Sequence, residues 1–406
     1  MTPLRGHWHR LQRRTAIELD RRLPWPRLRR LAHRIGLRWP QTGLALDGVA
    51  DFRVEASALR LIHPACRRSL TPPAWYSQQP VPAKFTRYFD HLDPALETVR
   101  LHEVFVVVEA EDISVVTREG KLVAGLGVST RERGGIVSAG RKLRLPPAQR
   151  LPGTTLLATS TMAADNYYHW MLESLPRLQP FLDEDPGLGR FDHVLVDDTS
   201  RSYQRDTLRW LGVPPNKLKW RRRSVEVFFC ETLEATTHVC DHLPPVWAMH
   251  FLRDRLTRPT EDSGSRGRSL FLSRQGERRC LRNEPEIIAR LKCEADFEVF
   301  APGQCDVLTQ LKVFQEAAII VGSHGAAFSN LLGCRGGTRV IELFEPGHVF
   351  GGFWAIASEL GLPYAGVVAE PLPNHQGFWV PPDLVVSALR ELSIGLPSST
   401  DPAEMS

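Results

Sequence analysis

Three groups of residues in this chain have types and spacings suited to chemistry. His169 and Glu173 stand four apart in the run N-Y-Y-H-W-M-L-E, which would place both on one face of a helix. An imidazole and a carboxylate so placed can take a proton from an attacking hydroxyl. The same pair fits a structural contact beneath Tyr167, Tyr168 and Trp170, or two metal ligands, although no third ligand has suitable spacing. In the second group, Arg274, Arg278 and Arg279 precede Arg282, Asn283 and Glu284 where a strand ends and a helix begins. Guanidinium groups present planar forks of donors that can clamp a diphosphate, and a solvated basic loop would have the same composition. The third group is Gly322-Ser323-His324-Gly325, directly after the apolar run Ala317 to Val321. A helix starting at the carboxyl end of a parallel strand offers free N–H groups and partial positive charge to a phosphate, with His324 as a further donor. A tight turn that binds nothing reads the same way, and the spacing is not the dinucleotide pattern G-x-G-x-x-G.

These side chains need elements to position them. Ala317 to Val321 reads as a buried strand, Ser323 as the cap of a helix carrying Ala326, Ala327, Phe328, Leu331 and Leu332, and Arg339 to Phe344 as the strand that closes a β-α-β unit. Strands are expected at Ser269 to Ser273 and Phe297 to Phe300, and helices at Glu284 to Lys292 and Val307 to Glu316. If the strands are parallel, the arginine loop and the Gly322 turn share one sheet edge. Further on, a helix near Phe350 to Leu360, a strand at Tyr364 to Val368 and a helix around Leu384 to Leu392 are expected, then a disordered tail.

Upstream, Glu103 to Glu109, Ile113 to Thr117 and Lys121 to Ala124 read as antiparallel strands. Strands at Leu156 to Ser160, His193 to Val196 and Val225 to Cys230 alternate with helices from Tyr167 and at Ser202 to Leu211, suggesting a second α/β unit. Pro176 is expected to limit the Tyr167 helix. Asp183-Glu184-Asp185 spells a D-x-D, read as the acidic end of that helix rather than a metal site. No serine sits in G-x-S-x-G.

The expected division is a basic arm and Pro-rich lead-in over 1–100, an N-terminal α/β domain over 101–257, a polar linker near 257–267, and a C-terminal Rossmann-like domain over 268–395. With 406 residues, 42% hydrophobic and 24% charged, the composition is that of a soluble globular protein. No apolar run approaches the ~20 residues of a membrane span, and no secretory leader is legible, so a cytoplasmic setting is expected. The seven cysteines form no C-x-x-C pair, which gives no support to a zinc site or a disulfide framework. The net charge is +5, yet residues 1–40 hold eleven arginines against Glu18 and Asp20. That arm reads as a solvated surface, a peripheral anchor on anionic lipid, or a nucleic-acid contact, and nothing else in the chain supports nucleic acid.

Three blocks carry a family resemblance: NYYHWMLESLPRL (166–178), LSRQGERRCLRNE (272–284), and VGSHGAAFSNLL (321–332) with VIELFEP (340–346). In order and spacing they resemble the motifs of glycosyltransferase family 61, with Glu173 where aspartate is the commoner carboxylate. The resemblance implies an α/β, GT-B type architecture, two Rossmann-like domains facing a cleft. It further implies an inverting transfer from a nucleotide-sugar to a hydroxyl of a glycan or lipid-linked glycan, without an obligatory metal or other cofactor. It is nearest the bacterial members linked to capsular or other surface polysaccharides. On this reading Glu173 or His169 is the base. Arg274, Arg278, Arg279, Asn283, Gly322, Ser323, His324, Gly325 and Asn330 hold the donor, with Glu342 on the ribose hydroxyls. The rivals are a non-catalytic nucleotide-sugar or glycan-binding protein and a nicotinamide-dependent oxidoreductase.

Overall fold

The longest strand, β5 (Leu96–Glu109), is rich in valine and buries every residue from Val104 to Val108, with Val104, Val106 and Val108 in one core and Phe105 and Val107 in another on the opposite face. The structure is a computed structural model and describes residues 59–77, 83–109, 112–123, 125–126, 146–160, 163–197, 201–220, 226–237, 239, 243–257, 267–276, 280–371 and 377–394. The basic arm, most of the linker, the C-terminal tail, Arg278 and Arg279 lie outside the described residues.

β5 is flanked antiparallel by β1 (Leu59–His63), by β6 (Asp112–Val116) and by β10 (Glu226–Thr236). Beyond β10 the pairing turns parallel through β7 (Gln149–Leu157), β8 (His193–Val196) and β9 (Leu218–Trp220). This first sheet is therefore mixed, with order β1-β5-β10-β7-β8-β9 and β6 branching from β5.

The second sheet is wholly parallel. Its order is β12-β11-β13-β14-β15-β3, from β11 (Arg268–Leu272), β12 (Phe297–Phe300), β13 (Ala317–Ser323), β14 (Arg339–Phe344), β15 (Tyr364–Val368) and β3 (Ala74–Tyr76). Both faces of the central strands β13, β14 and β15 are covered, which is why they read as continuous apolar runs. The chain order reverses between β11 and β13, and in open α/β sheets the crevice at such a reversal is where ligands bind.

The Pro-rich lead-in differs from expectation. It is not a segment merely packed on one domain: β1 joins the first sheet and β3 the second, while β2 (Cys66–Ser69) and β4 (Asp90–Asp93) form their own antiparallel ribbon. Short strands between prolines satisfy their backbone groups by adding to edges already present.

The helices α1 (Ser202–Trp210), α2 (Val246–Leu256), α3 (Glu284–Leu291), α4 (Val307–Glu316), α5 (Gly352–Glu359) and α6 (Pro382–Ile394) cover the sheets. Asp306 caps α4 by accepting from Thr309 N. One large core runs from Leu156, Trp170 and Leu208 to Leu270, Phe328 and Trp354, so the elements between the two sheets pack together without a break. No helix among the described residues is long and apolar enough to cross a membrane.

Candidate active site

The segment 167–184 keeps one helical path but changes its hydrogen-bond register three times. An α turn (Tyr167–His169), capped by the Asn166 side chain accepting from Tyr168 N, passes into a π turn (Trp170–Ser174), a 3-10 turn (Leu175–Leu178) and an α-helix (Gln179–Glu184). Pro176 was expected to limit the helix. Instead the path continues, because Pro176 and Pro180 each fall at the start of a new turn, where a missing N–H breaks no bond. π turns of this kind recur at functional sites.

Across the passage from the α turn into the π turn His169 and Glu173 stay together, Nδ1 lying 2.8 Å from Oε1, with the side chains 23% and 12% exposed. The turn is held from below by Asp197, wholly buried just past β8, which accepts from Ser174 Oγ at 3.1 Å and from Ser160 N at 3.3 Å. Sequence reasoning passed over Asp197. Its one signal was an acid directly after the apolar strand HVLV.

At the reversal of strand order, the ends of β11 and β13 bring Arg274 and His324 together. Arg274 Nη1 donates to the His324 carbonyl. Gly325 makes this possible, since a Cβ there would sit 2.6 Å from Arg274 Nη1. Gly322 has a different task, because its Cβ would fall 2.7 Å from Leu272 Cβ and 3.2 Å from Leu272 O, so it lets β13 lie against β11. Ser323 belongs to the strand and caps nothing. The turn that follows is a 3-10 helix (Ala326–Gly333) starting after Gly325, where a capped α-helix was expected. Ser323 Oγ is buried and has no hydrogen-bond partner among the described residues.

The His324 ring is fixed from the sheet side. Its Nδ1 pairs with Glu342 Oε1, and the other carboxylate oxygen accepts from the Tyr364 hydroxyl. Glu342 is wholly buried, so it does not face a ribose as expected; it orients an imidazole. A carboxylate can only accept, so Nδ1 carries the hydrogen and Nε2 is the nitrogen left for a ligand. Burial, with Glu342 beside it, pushes the Tyr364 hydroxyl well above its ordinary range, so it stays a donor.

Two other expected donor contacts are also structural. Asn330, wholly buried, accepts from Tyr167 Oη at 2.8 Å and donates to Gln310 Oε1 at 2.8 Å, tying the 167–184 segment to the second sheet's layer. Asn283 donates to Val380 O at 2.8 Å and accepts from Val380 N at 3.3 Å, pinning the chain before α6. Glu284, 1% exposed, accepts from Ser273 Oγ at 2.5 Å and from Arg274 N at 3.4 Å, and so sets the start of the arginine loop.

One aromatic layer joins the two groups. Tyr168 meets Phe350 and Phe353 edge-on at 5.4 and 5.5 Å and His169 at 5.4 Å, while His324 lies 6.3 and 5.4 Å from the same two phenylalanines. The acid and imidazole of the π turn and the arginine and imidazole of the strand ends thus sit on either side of Tyr168, Phe350 and Phe353. The three acids Asp183, Glu184 and Asp185 end the helix as expected. Asp183 pairs with Arg255 at 3.0 Å and Glu184 with Arg190 at 3.0 Å. Among the described residues no group of three or more His, Cys, Asp or Glu side chains could hold a metal ion.

A parallel sheet whose order reverses beside a guanidinium and an oriented imidazole, with a partly buried acid–imidazole pair across an aromatic layer, makes this an α/β protein with titratable groups gathered at the strand ends. Residues 167–341 match the model of the family described as Glycosyltransferase 61. No curated protein matches the chain.

Proposed function

We propose that the protein is an inverting glycosyltransferase of GT-B type, moving a sugar from a nucleotide-sugar to a hydroxyl of a glycan or lipid-linked glycan. The observation that carries this reading is the meeting of Arg274 and His324 at the reversal of strand order, within a family 61 stretch that also holds the His169–Glu173 pair. Arg274 and His324 Nε2 bind the diphosphate, a role the sequence also gives to Arg278 and Arg279, and preorganised donors stabilise it as it leaves. Glu173, steadied by His169, takes the acceptor proton. The acceptor oxygen then forms its bond to the anomeric carbon while the bond from that carbon to the diphosphate breaks, the electron pair leaving with the diphosphate.

The reading places the reaction at the cytoplasmic side of surface or capsular polysaccharide synthesis, with the basic arm as a peripheral membrane contact. That setting rests on the resemblance and on the charge of residues 1–40. The first test is a thermal-shift screen against nucleotides and nucleotide-sugars, with Arg274→Ala alongside, since a ligand of the native state alone raises the melting temperature. Stabilisation by one nucleotide family, lost in the variant, is the expected result. A folded protein that no nucleotide stabilises would overturn the donor site. Full turnover in both Glu173→Gln and His169→Ala would remove the assigned base.

A further inference from the structure

We propose a second carbohydrate site, remote from the transfer chemistry, that holds an uncharged stretch of the glycan acceptor. It is a cavity of about 550 Å³ between the β1–β2 turn, the last turn of the 167–184 segment and α2. That size is within the range of pockets built for small ligands. It shares no residue with the candidate active site: the pair at 169 and 173 opens the helical segment, and Gln179 and Asp183 close it.

The walls are fixed from three directions. His63 Nε2 and Gln179 Oε1 are 2.8 Å apart, and Arg255 donates to Asp183 at 3.0 Å. Behind them, buried Arg68 donates to Asp93 at 2.6 Å and to Pro244 O at 3.0 Å, just ahead of α2. A cavity pinned in this way is preformed, which spares a ligand the cost of ordering it.

The lining selects a class of ligand. Trp247 and His63 stack on each other with centroids 4.7 Å apart and planes within 10°, which leaves the outer ring face for the C–H face of a sugar, and buried Phe251 completes the aromatic lining. Around them, the Gln179 amide, the Asp254 carboxylate and the Arg255 guanidinium are planar groups that can each engage neighbouring hydroxyls. Asp93 is balanced by Arg68 and Asp183 by Arg255, so the cavity offers no surplus of cations to attract a phosphate or an acidic sugar. Aromatic surface, mixed polar groups and balanced charge together match an uncharged saccharide. His63, Pro64, Cys66 and Asp93, four of the twelve lining residues, lie outside residues 167–341, so a third of the cavity wall comes from sequence that the family match does not cover.

Calling this saccharide a distal part of the acceptor rests on the proposed transferase function; the site itself does not. The test uses the full chain on an array of uncharged hexose, pentose and N-acetylhexosamine oligosaccharides, beside the Trp247→Ala, Asp254→Ala and Arg274→Ala variants. Asp254 is exposed, so Asp254→Ala keeps the test open should Trp247→Ala fail to fold. At least one saccharide class is expected to bind, with affinity about tenfold lower in Asp254→Ala and lost in Trp247→Ala, and unchanged in Arg274→Ala. Absence of binding to every oligosaccharide, or binding retained in both cavity variants, overturns the proposal. Binding that survives while no nucleotide stabilises the protein would reject the transferase reading and leave this site standing.

Discussion

His324 and Glu342, eighteen residues apart on neighbouring strand ends, form a buried imidazole–carboxylate pair whose far oxygen is held by Tyr364. Both carboxylate oxygens are engaged, so the imidazole has one orientation, with Nε2 on the side away from Glu342. Glu342→Gln keeps the shape and removes the charge that fixes the tautomer. It should lower kcat/KM by about 10- to 100-fold, the usual effect of losing a group that orients a site imidazole. Tyr364→Phe should leave a buried acceptor short of a donor and cost about 1–3 kcal/mol in a urea melt. Wild-type kinetics in Glu342→Gln would mean that His324 takes no part.

Gly322 and Gly325 should respond differently to the same substitution. A methyl at Gly322 meets Leu272 beside the backbone of β11, so Gly322→Ala should cost about 1–3 kcal/mol through forced strand separation. A methyl at Gly325 meets only the far end of the Arg274 side chain, which can swing away. Gly325→Ala should therefore keep its melting temperature within about 3 °C. It should nonetheless lose most of its nucleotide-induced shift. Equal destabilisation by both substitutions would show that Arg274 cannot move.

Tyr167 reaches 163 residues along the chain to Asn330, and Asn330 reaches on to Gln310. Tyr167→Phe strands the Asn330 carbonyl in the core and should lower stability by about 1–3 kcal/mol with an unchanged denaturant slope. Because that bond ties the π turn to the second sheet's layer, hydrogen exchange over 167–174 should quicken in the variant. A protection pattern identical to wild type would place the turn's support elsewhere, with Asp197.

Alkaline pH should unfold the protein through its buried acids. Burial pushes the Cys230 thiol up to about 12 from its ordinary 9.0 and holds the Cys334 and Tyr364 groups above their usual ranges. Each group is neutral in the core and would ionise sooner in the unfolded chain. Their stabilising contribution is therefore complete below about pH 9 and lost as pH climbs toward the folded values. Denaturant midpoints at pH 8, 9.5 and 11 should fall in that order. Below pH 9, Cys66 and Cys293 are exposed and should alkylate quickly, whereas Cys230 and Cys334 should react only on unfolding. Peptide mapping after iodoacetamide reads this directly, and fast labelling at Cys230 would contradict the packing of β10.

Much of this arrangement was legible in the chain. Val307–Glu316, Phe297–Phe300, Arg339–Phe344 and Tyr364–Val368 fall where the apolar pattern places them, because apolar spacing reports local geometry directly. The i, i+4 spacing of His169 and Glu173 likewise brought them within contact. The register of their helix was not legible. A π turn precedes the 3-10 turn that holds Pro176, with Trp170, Met171 and Leu172 drawn fully into the core, and single-residue propensities carry no record of that burial.

The sequence by itself determined which chemical groups this protein has and roughly which element each one ends or begins, since backbone preference and apolar spacing act over a few residues. It could not decide which polar residues face a ligand and which serve the fold. Asn283, Asn330 and Glu342 look like site residues by type, yet all three are buried against partners 97, 20 and 18 positions away. Only the tertiary structure brings those partners together. A buried polar group must find a partner or cost the fold, and which partner it finds depends on how distant strands come to lie side by side.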